Sequence, residues 1–315
     1  MASVLDQAHF RSEVAAYRWV EARVWPNGRV CPHCGTVENS VALKGKSTRI
    51  GVYKCRDCRK PFTVKVGTIF ESSHIKLHLW LQAMFLIASS KKGISSNQLH
   101  RTLGITLKSA WFMSHRIRLA MKETGGGMFG AGGGGVEADE TFIGQAYGES
   151  RRPAGYGHKQ KMLTLIDREQ GKARSFVIGG EIRLDKIKPI LEANIAKDAR
   201  VMTDEARHYY NLKKIWPSHQ AVNHGKGEYV SREDRTLHTN TVEGYYSVFK
   251  RGMRGIYQHC AEHHLHRYAA EFDFRYSNRV KLGVDDQERF SRIVEGVVGK
   301  RFTYQTTASE QETAH

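Results

Sequence analysis

The chain has 315 residues, room for two or three domains, and carries a formal charge of +17 from 49 Lys and Arg against 32 Asp and Glu. That excess is too large for an ordinary small-molecule enzyme and points to a polyanionic partner, of which nucleic acid is the commonest. The best apolar run, Leu77 to Ala88, is broken by His78 and Gln82, and acids stand early in MASVLDQAHFRSE; neither a membrane span nor a signal peptide is expected, which favours the cytoplasm.

In chain order, residues 1–28 read as an amphipathic helix (Phe10, Val14, Tyr17, Val20, Val24) that stops at Pro26-Asn27-Gly28. Residues 29–70 contain four of the five cysteines in two pairs, Cys31 and Cys34 in CPHCG, and Cys55 and Cys58 in YKCRDCRK, with twenty residues between the pairs. In a reducing compartment this spacing predicts a zinc ribbon, with strands near residues 52–54 and 62–66 and a structural zinc on four thiolates. A redox motif needs only one such pair, and a core would not space its thiols so regularly. His33 lies between two ligands as a bystander.

Residues 75–123 read as helical: an apolar helix over 75–90, a short helix from Ser96 to Gly104, and a second one behind Thr106 as N-cap. Helix, glycine turn, helix is the arrangement of a helix-turn-helix, with a generic helical hairpin as the alternative. The second helix would offer Lys108, Ser109, His115, Arg116 and Arg118 to DNA around an apolar stripe of Leu107, Trp111, Ile117 and Met121. GGGMFGAGGGG follows within residues 124–135, with no GK[ST] sequel, and reads as a flexible linker.

Residues 136–282 carry strand patterns at 136–143, 162–167, 173–178 and 200–203, with a fifth short one at 220–222. A helix over 184–196 precedes the fourth strand, and helices over 239–252 and around Leu265–Tyr276 follow the fifth. Three meandering strands, a helix, a strand and then more helices is the order of a ribonuclease H-like domain: α/β, a mixed sheet flanked by helices, here preceded by a zinc ribbon and a helix-turn-helix. Residues 283–315 are expected as a last helix and a disordered tail.

VEADETFIG puts Asp139 on the first of these strands and VMTDEARHYY puts Asp204 at the end of the fourth, and in such a sheet the two strands are neighbours. Period-two alternation turns Glu140 and Glu205 away from them. In HTNTVEGYYSVFKRG, Asn240, Glu243 and Lys250 share a helix face. Glu243 is the natural third acid for a pair of magnesium or manganese ions, with Lys250 on phosphate, but Asn240-x-x-Glu243 is also the pattern of a capping box. The histidines around Cys260 fit no closed four-ligand set.

The blocks VEADETFIG, MTDEARHYY, HTNTVEGYYSVFKRG and HLHRYAAEFDFRYSNR resemble those of bacterial insertion-sequence transposases of the group that has an amino-terminal zinc ribbon, the insertion-sequence fifteen-ninety-five group. The resemblance runs from the cysteine pairs to about Arg279. It implies an acid-triad enzyme that binds terminal inverted repeats and cuts and joins DNA with divalent metal. Asp139 and Asp204 take its first two acidic positions and Glu243 the third, with Asn240 as the alternative. The expected DNA contacts extend to Arg251 and Arg254. The expected partners are double-stranded DNA, as element end and as target, and further copies of the chain assembled on it at the nucleoid. A DNA-binding regulator with an inert domain, or a stand-alone nuclease or resolvase, is the alternative function.

Overall fold

A computed structural model describes residues 3–150, 155–222, 230 and 234–302. The expected tail, TTASEQETAH, lies outside them. The chain forms two compact units: one comprises residues up to Ser89, Ser96–Met121 and Phe290 onward, and the other Ser90–Ser95 and Lys122–Arg289.

In the first unit, the single helix expected at the amino terminus is broken. Helices α1 (Ala8–Arg11) and α2 (Glu13–Val24) meet at Ser12, whose extended backbone makes it the N-cap of α2, its hydroxyl accepting the Ala15 amide at 3.4 Å. The break lets Phe10 and Val20 both reach the core while Val14 stays 42% exposed. Strands β1 (Ser40–Ala42), β2 (Tyr53–Cys55) and β3 (Pro61–Phe62) form an antiparallel ribbon in that order. β1 carried no apolar pattern to betray it, being largely exposed, and β3 is shorter than its sequence suggests because Thr63 to Val66 close a turn, N to O 3.1 Å.

Helix α3 (Leu77–Ser89) buries Leu77, Trp80, Leu81, Met84 and Ile87. Helix α4 (Ser96–Leu103) stops at Gly104, whose φ of +65° suits glycine, and α5 (Leu107–Met121) starts behind Thr106, whose hydroxyl accepts the Ser109 amide at 3.2 Å. The basic-face reading of α5 is overturned at three positions: His115, Arg116 and Arg118 are buried. Arg116 donates to the carbonyls of Ile69 at 2.8 Å, Glu71 at 2.7 Å and Phe302 at 3.0 Å, and Arg118 to the Ser114 hydroxyl at 3.1 Å. The expected apolar stripe fails at Leu107, which is 44% exposed. α5 is packed on several sides, and Arg116 closes three carbonyls inside the unit. From helix α9 (Asp286–Glu295), Phe290 stacks on Trp19 at 4.9 Å and lies 5.4 Å from Phe10, so this part of the helix joins the core of the first unit.

The second unit is a five-stranded mixed sheet. Its strands, β4 (Gly135–Ile143), β5 (Gln160–Asp167), β6 (Lys172–Ile178), β7 (Arg200–Asp204) and β8 (Gln220–Val222), lie in the order β6-β5-β4-β7-β8. β4, β5 and β6 are antiparallel, and β7 and β8 run parallel to β4. One face packs Val136, Ala138, Leu163 and Leu165 against Ile187 and Leu191 of helix α6 (Leu184–Asn194). The other packs Met162, Ile166 and Ala173 against Val242, Tyr245 and Phe249 of helix α7 (Asn240–Gly252) and Leu265, Tyr268 and Phe272 of helix α8 (Leu265–Ser277). β5, covered on both faces, is buried throughout.

The glycine-rich stretch is no free linker. Phe129 sits in the core with its amide on Asn194 O at 2.7 Å, and the amides of Gly130, Gly132 and Gly135 donate to the carboxylates of Asp167 at 2.9 Å, Asp198 at 2.8 Å and Glu169 at 2.8 Å. A Cβ on Gly130 would stand 2.5 Å from Ala199 Cβ, so glycine here serves close packing.

Candidate active site

β4 and β7 pair in parallel with Gly135 opposite Arg200 and Glu137 opposite Met202. Continued by two residues, that register sets Asp139 opposite Asp204, because both pairs differ by 65 (200 − 135 and 204 − 139). The paired stretch ends at Glu137 and Met202, and the two aspartates each follow it by two residues on the same face, toward the carboxyl end of their strands. Asp139 Oδ1 accepts the Glu140 amide at 2.8 Å, and Asp204 Oδ1 accepts the Ala206 amide at 3.0 Å. Tyr246 of α7 donates its hydroxyl to the Asp139 carbonyl at 2.5 Å, tying that helix to β4 at the level of the acid.

Helix α7 brings Glu243 in its first turn, exposed to solvent. Burial pushes the Asp139 carboxyl up to about 8, helped by the negative charges of Glu140, Asp204 and Glu243. Glu243 is therefore within electrostatic reach of the first acid. Lys250, two turns on and half-buried, has its ammonium pulled down by burial and by Arg254, while Asp139 opposes the shift. One helix thus supplies a carboxylate and an ammonium to the surroundings of Asp139.

The start of α7 bears on the capping-box reading of Glu243. Thr239 holds the N-cap position and makes no side-chain cap bond, and Asn240 is the first residue inside the helix, so the capping box between Asn240 and Glu243 has no cap residue to begin from. The loose amides of Thr241 and Val242 are instead taken by the carboxylate of Glu137, at 3.0 and 2.9 Å. Glu140 leaves β4 on the opposite face, where it accepts from His208 Nε2 at 3.0 Å and from the Tyr209 hydroxyl. The alternation that separates Glu140 from Asp139 was legible in the sequence; its partners, brought by the loop after β7, were not.

The sulfurs of Cys31, Cys34, Cys55 and Cys58 all lie within 4.8 Å of one another, with Cys31–Cys58 at 3.7 Å and Cys34–Cys55 at 3.6 Å. A tetrahedron of thiolates about 2.3 Å from zinc has edges of about 3.8 Å, so the set fits zinc, and it is far too open for disulfides near 2.05 Å. The Thr36 hydroxyl and then its amide lower the Cys34 thiol to about 6. At Cys58 a backbone bond from Lys60 is outweighed by burial and the other three cysteines, which push its thiol up to about 12, so the four sulfurs titrate together. His33 bonds instead with the Pro61 carbonyl at 3.3 Å, outside the cluster. Among the described residues, the acids around Asp139 are not drawn together as tightly as these cysteines.

An ISXO2-like transposase domain model matches residues 132–277, and a transposase zinc-ribbon domain model matches residues 11–61. The chain therefore carries an ISXO2-like transposase domain behind a transposase zinc ribbon, which indicates a transposase. An uncharacterized protein in transposable element ISH50 of Halobacterium salinarum is 26% identical over 264 residues, covering 78% of this chain and 86% of that protein. The transposase match begins inside the glycine-rich stretch, in keeping with that stretch being part of the sheet unit, and it spans Asp139, Asp204, Asn240, Glu243 and Lys250. The ribbon match holds all four clustered cysteines.

The residues expected to meet DNA divide on this transposase. Lys108, Arg251 and Arg254 are exposed and Ser109 is half-buried, whereas His115, Arg116 and Arg118 are inside. Sequence reasoning passed over Glu137 and its partner Arg168, joined Oε1 to Nε at 2.6 Å. The signal was present, since a charged residue two positions before Asp139 shares its face in a pleated strand.

Proposed function

We propose that this transposase binds the terminal inverted repeats of an insertion sequence and catalyses metal-dependent DNA strand cleavage and strand transfer. The observation that carries the reading is the crowding of Asp139 by Asp204 across one sheet register and by Glu243 from α7. Burial first, and then the charges of Glu140, Asp204 and Glu243, push the Asp139 carboxyl up to about 8; a divalent cation would offset that cost, and an all-oxygen donor set suits magnesium or manganese. The strand order, three antiparallel strands followed by two parallel ones, supports a ribonuclease H-like description of the domain.

In this reading Asp139, Asp204 and Glu243 hold two metal ions, and Asn240 takes no part. When bound, the ions would supply the electrophilic clamp that in-line phosphoryl displacement needs at both the attacking and the leaving oxygen. Lys250 places a cation beside the same acids and would orient a phosphate of the strand to be cut. Its half-buried position makes it a less hydrated donor than a surface lysine. Lys108, Ser109, Arg251 and Arg254 would carry DNA backbone contacts, backed by the net charge of +17. The zinc ribbon and the α4–α5 pair would position end DNA, in the manner of a helix-turn-helix, with copies of the chain assembling on it at the nucleoid. Among the described residues no helix is long and apolar enough to cross a membrane.

The test is cleavage and joining of a labelled element end by the purified full chain with magnesium or manganese, beside Glu243→Gln. The reading expects product from the native chain, none from the variant, and equal DNA affinity for both. An active Glu243→Gln protein would remove Glu243 from the site.

A further inference from the structure

Glu137 is a fully buried carboxylate whose position is hard to explain by stability alone. One oxygen accepts the Thr241 and Val242 amides at 3.0 and 2.9 Å, and the other accepts Arg168 Nε at 2.6 Å. The same guanidinium reaches on to the His238 carbonyl and Nδ1, both at 2.8 Å, in the segment that leads into α7. Two positions along β4, on the same face, stands Asp139. A single strand therefore carries the first acid and the clamp on the helix that carries Glu243. A neutral side chain would satisfy two helix amides, and a buried ion pair adds little net stability once its desolvation is counted. What it does supply is direction, because a planar guanidinium and two fixed amides admit the carboxylate in one orientation.

We propose that Glu137, held by Arg168, is the positioning residue of the acid site: it fixes where α7 begins, and so where Glu243 stands relative to Asp139. This rests on the reading of Glu243 as the third acid. Glutamine cannot replace Glu137 here. Arg168 Nε and both helix amides are donors, so whichever way the amide is turned its NH2 group faces one of them. The displaced helix start would then move Glu243 and loosen the metal site, as loss of an outer partner of a metal ligand typically does by about 10- to 100-fold.

The experiment measures Mn2+ binding to the full chain by the electron paramagnetic resonance of the free ion, with the manganese dependence of end cleavage and thermal melting alongside. Glu137→Gln and Arg168→Lys are compared with Asp273→Asn, a control at a half-buried carboxylate of the same helix layer, which accepts from the Tyr245 hydroxyl at 2.6 Å and the Ser175 hydroxyl at 2.7 Å. The proposal expects both clamp variants to bind Mn2+ about tenfold more weakly, with cleavage partly restored at high manganese. It expects Asp273→Asn to melt earlier with unchanged Mn2+ affinity. Should Glu137→Gln fail to fold, Arg168→Lys, which keeps the cation, carries the same expectation. Clamp variants that melt early yet bind Mn2+ as the native chain does would overturn the positioning role. A native chain that binds no Mn2+, or a Glu243→Gln protein that binds it equally well, would instead bring down the acid-site reading, and the positioning role with it.

Discussion

Cys31, Cys34, Cys55 and Cys58 come together through two tight turns and a short ribbon, so their spacing in the sequence nearly is the site. Asp139, Asp204 and Glu243 stand on three elements far apart in the chain, and any site they form depends on the pairing of β4 with β7 and on the start of α7, whose amides bond Glu137. The cysteine cluster stands on ligands that want a cation and have little else to hold their small unit together. The acid cluster stands on a sheet with a full core on both faces and sets like charges against one another inside it. In the proposed reading, metal at the first site would make structure, whereas metal at the second would relieve a charge repulsion that the folded sheet bears without it.

The largest effect that separates the two is metal removal. Cys55→Ser, or a strong chelator, should abolish the ribbon's order, since structural zinc typically supplies about 10–16 kcal/mol of binding free energy that such small modules need to fold. The sheet unit should keep its own unfolding transition. Metal analysis together with amide exchange at Tyr53–Cys55 and at Met162–Ile166 checks this, and equal loss of protection in both segments would erase the contrast.

Asp139→Asn comes next. Cleavage should be lost, yet the metal-free protein should be at least as stable as the native one, because the amide removes a charge that burial and neighbours already oppose. The pH dependence follows from the same carboxyl. Its folded value of about 8 lies above the ordinary 3.8, so the folded state holds a proton that the unfolded chain releases between those limits. The stability it contributes is complete below 3.8 and is lost as the pH rises to about 8. Saturating magnesium should therefore raise the melting temperature more at pH 8.5 than at pH 5, and Asp139→Asn should flatten the difference. A magnesium effect that is larger at pH 5 would reverse the sign.

The arginines of α5 give a third, smaller separation. Arg116→Ala strips three carbonyls of their buried donor and should destabilise the first unit by about 2–4 kcal/mol. Lys108→Ala should leave stability nearly unchanged while lowering the salt slope of DNA binding by about one unit. If Arg116→Ala melts normally but loses DNA, the inward placement is wrong.

These contrasts also mark how far the sequence could be read. The five strands of the sheet, α3, α6, α7 and α8 and the cysteine site carry their own periodicity or spacing, and their limits were legible to within a few residues. Asp139, Asp204 and Glu243 were legible as candidates because two strand patterns and a helix pattern placed them. Arg116 and Arg118 were misread because cationic side chains at helical spacing look alike whether they meet solvent or buried carbonyls and hydroxyls. The glycines after Glu123 were misread because composition reports flexibility, while the acids that hold their amides, Asp167, Glu169 and Asp198, lie more than thirty residues away. Glu137 was missed for the same reason: its partners, Arg168, Thr241 and Val242, are distant in the chain.

The smallest expected effect tests the finest of these assignments. Asn240 is exposed and is the first residue inside α7 rather than its cap, so Asn240→Ala removes no capping bond and places a good helix former in the first turn. Stability should change by about 0.5 kcal/mol or less, as at other exposed positions, and end cleavage should stay within about threefold of the native rate. A loss near 1 kcal/mol would mean that Asn240 caps the helix in solution despite its position here. A folded but inactive Asn240→Ala protein beside an active Glu243→Gln protein would move the third ligand to the amide. The electrostatics argue for the reverse, because it is the Glu243 carboxylate whose charge reaches Asp139.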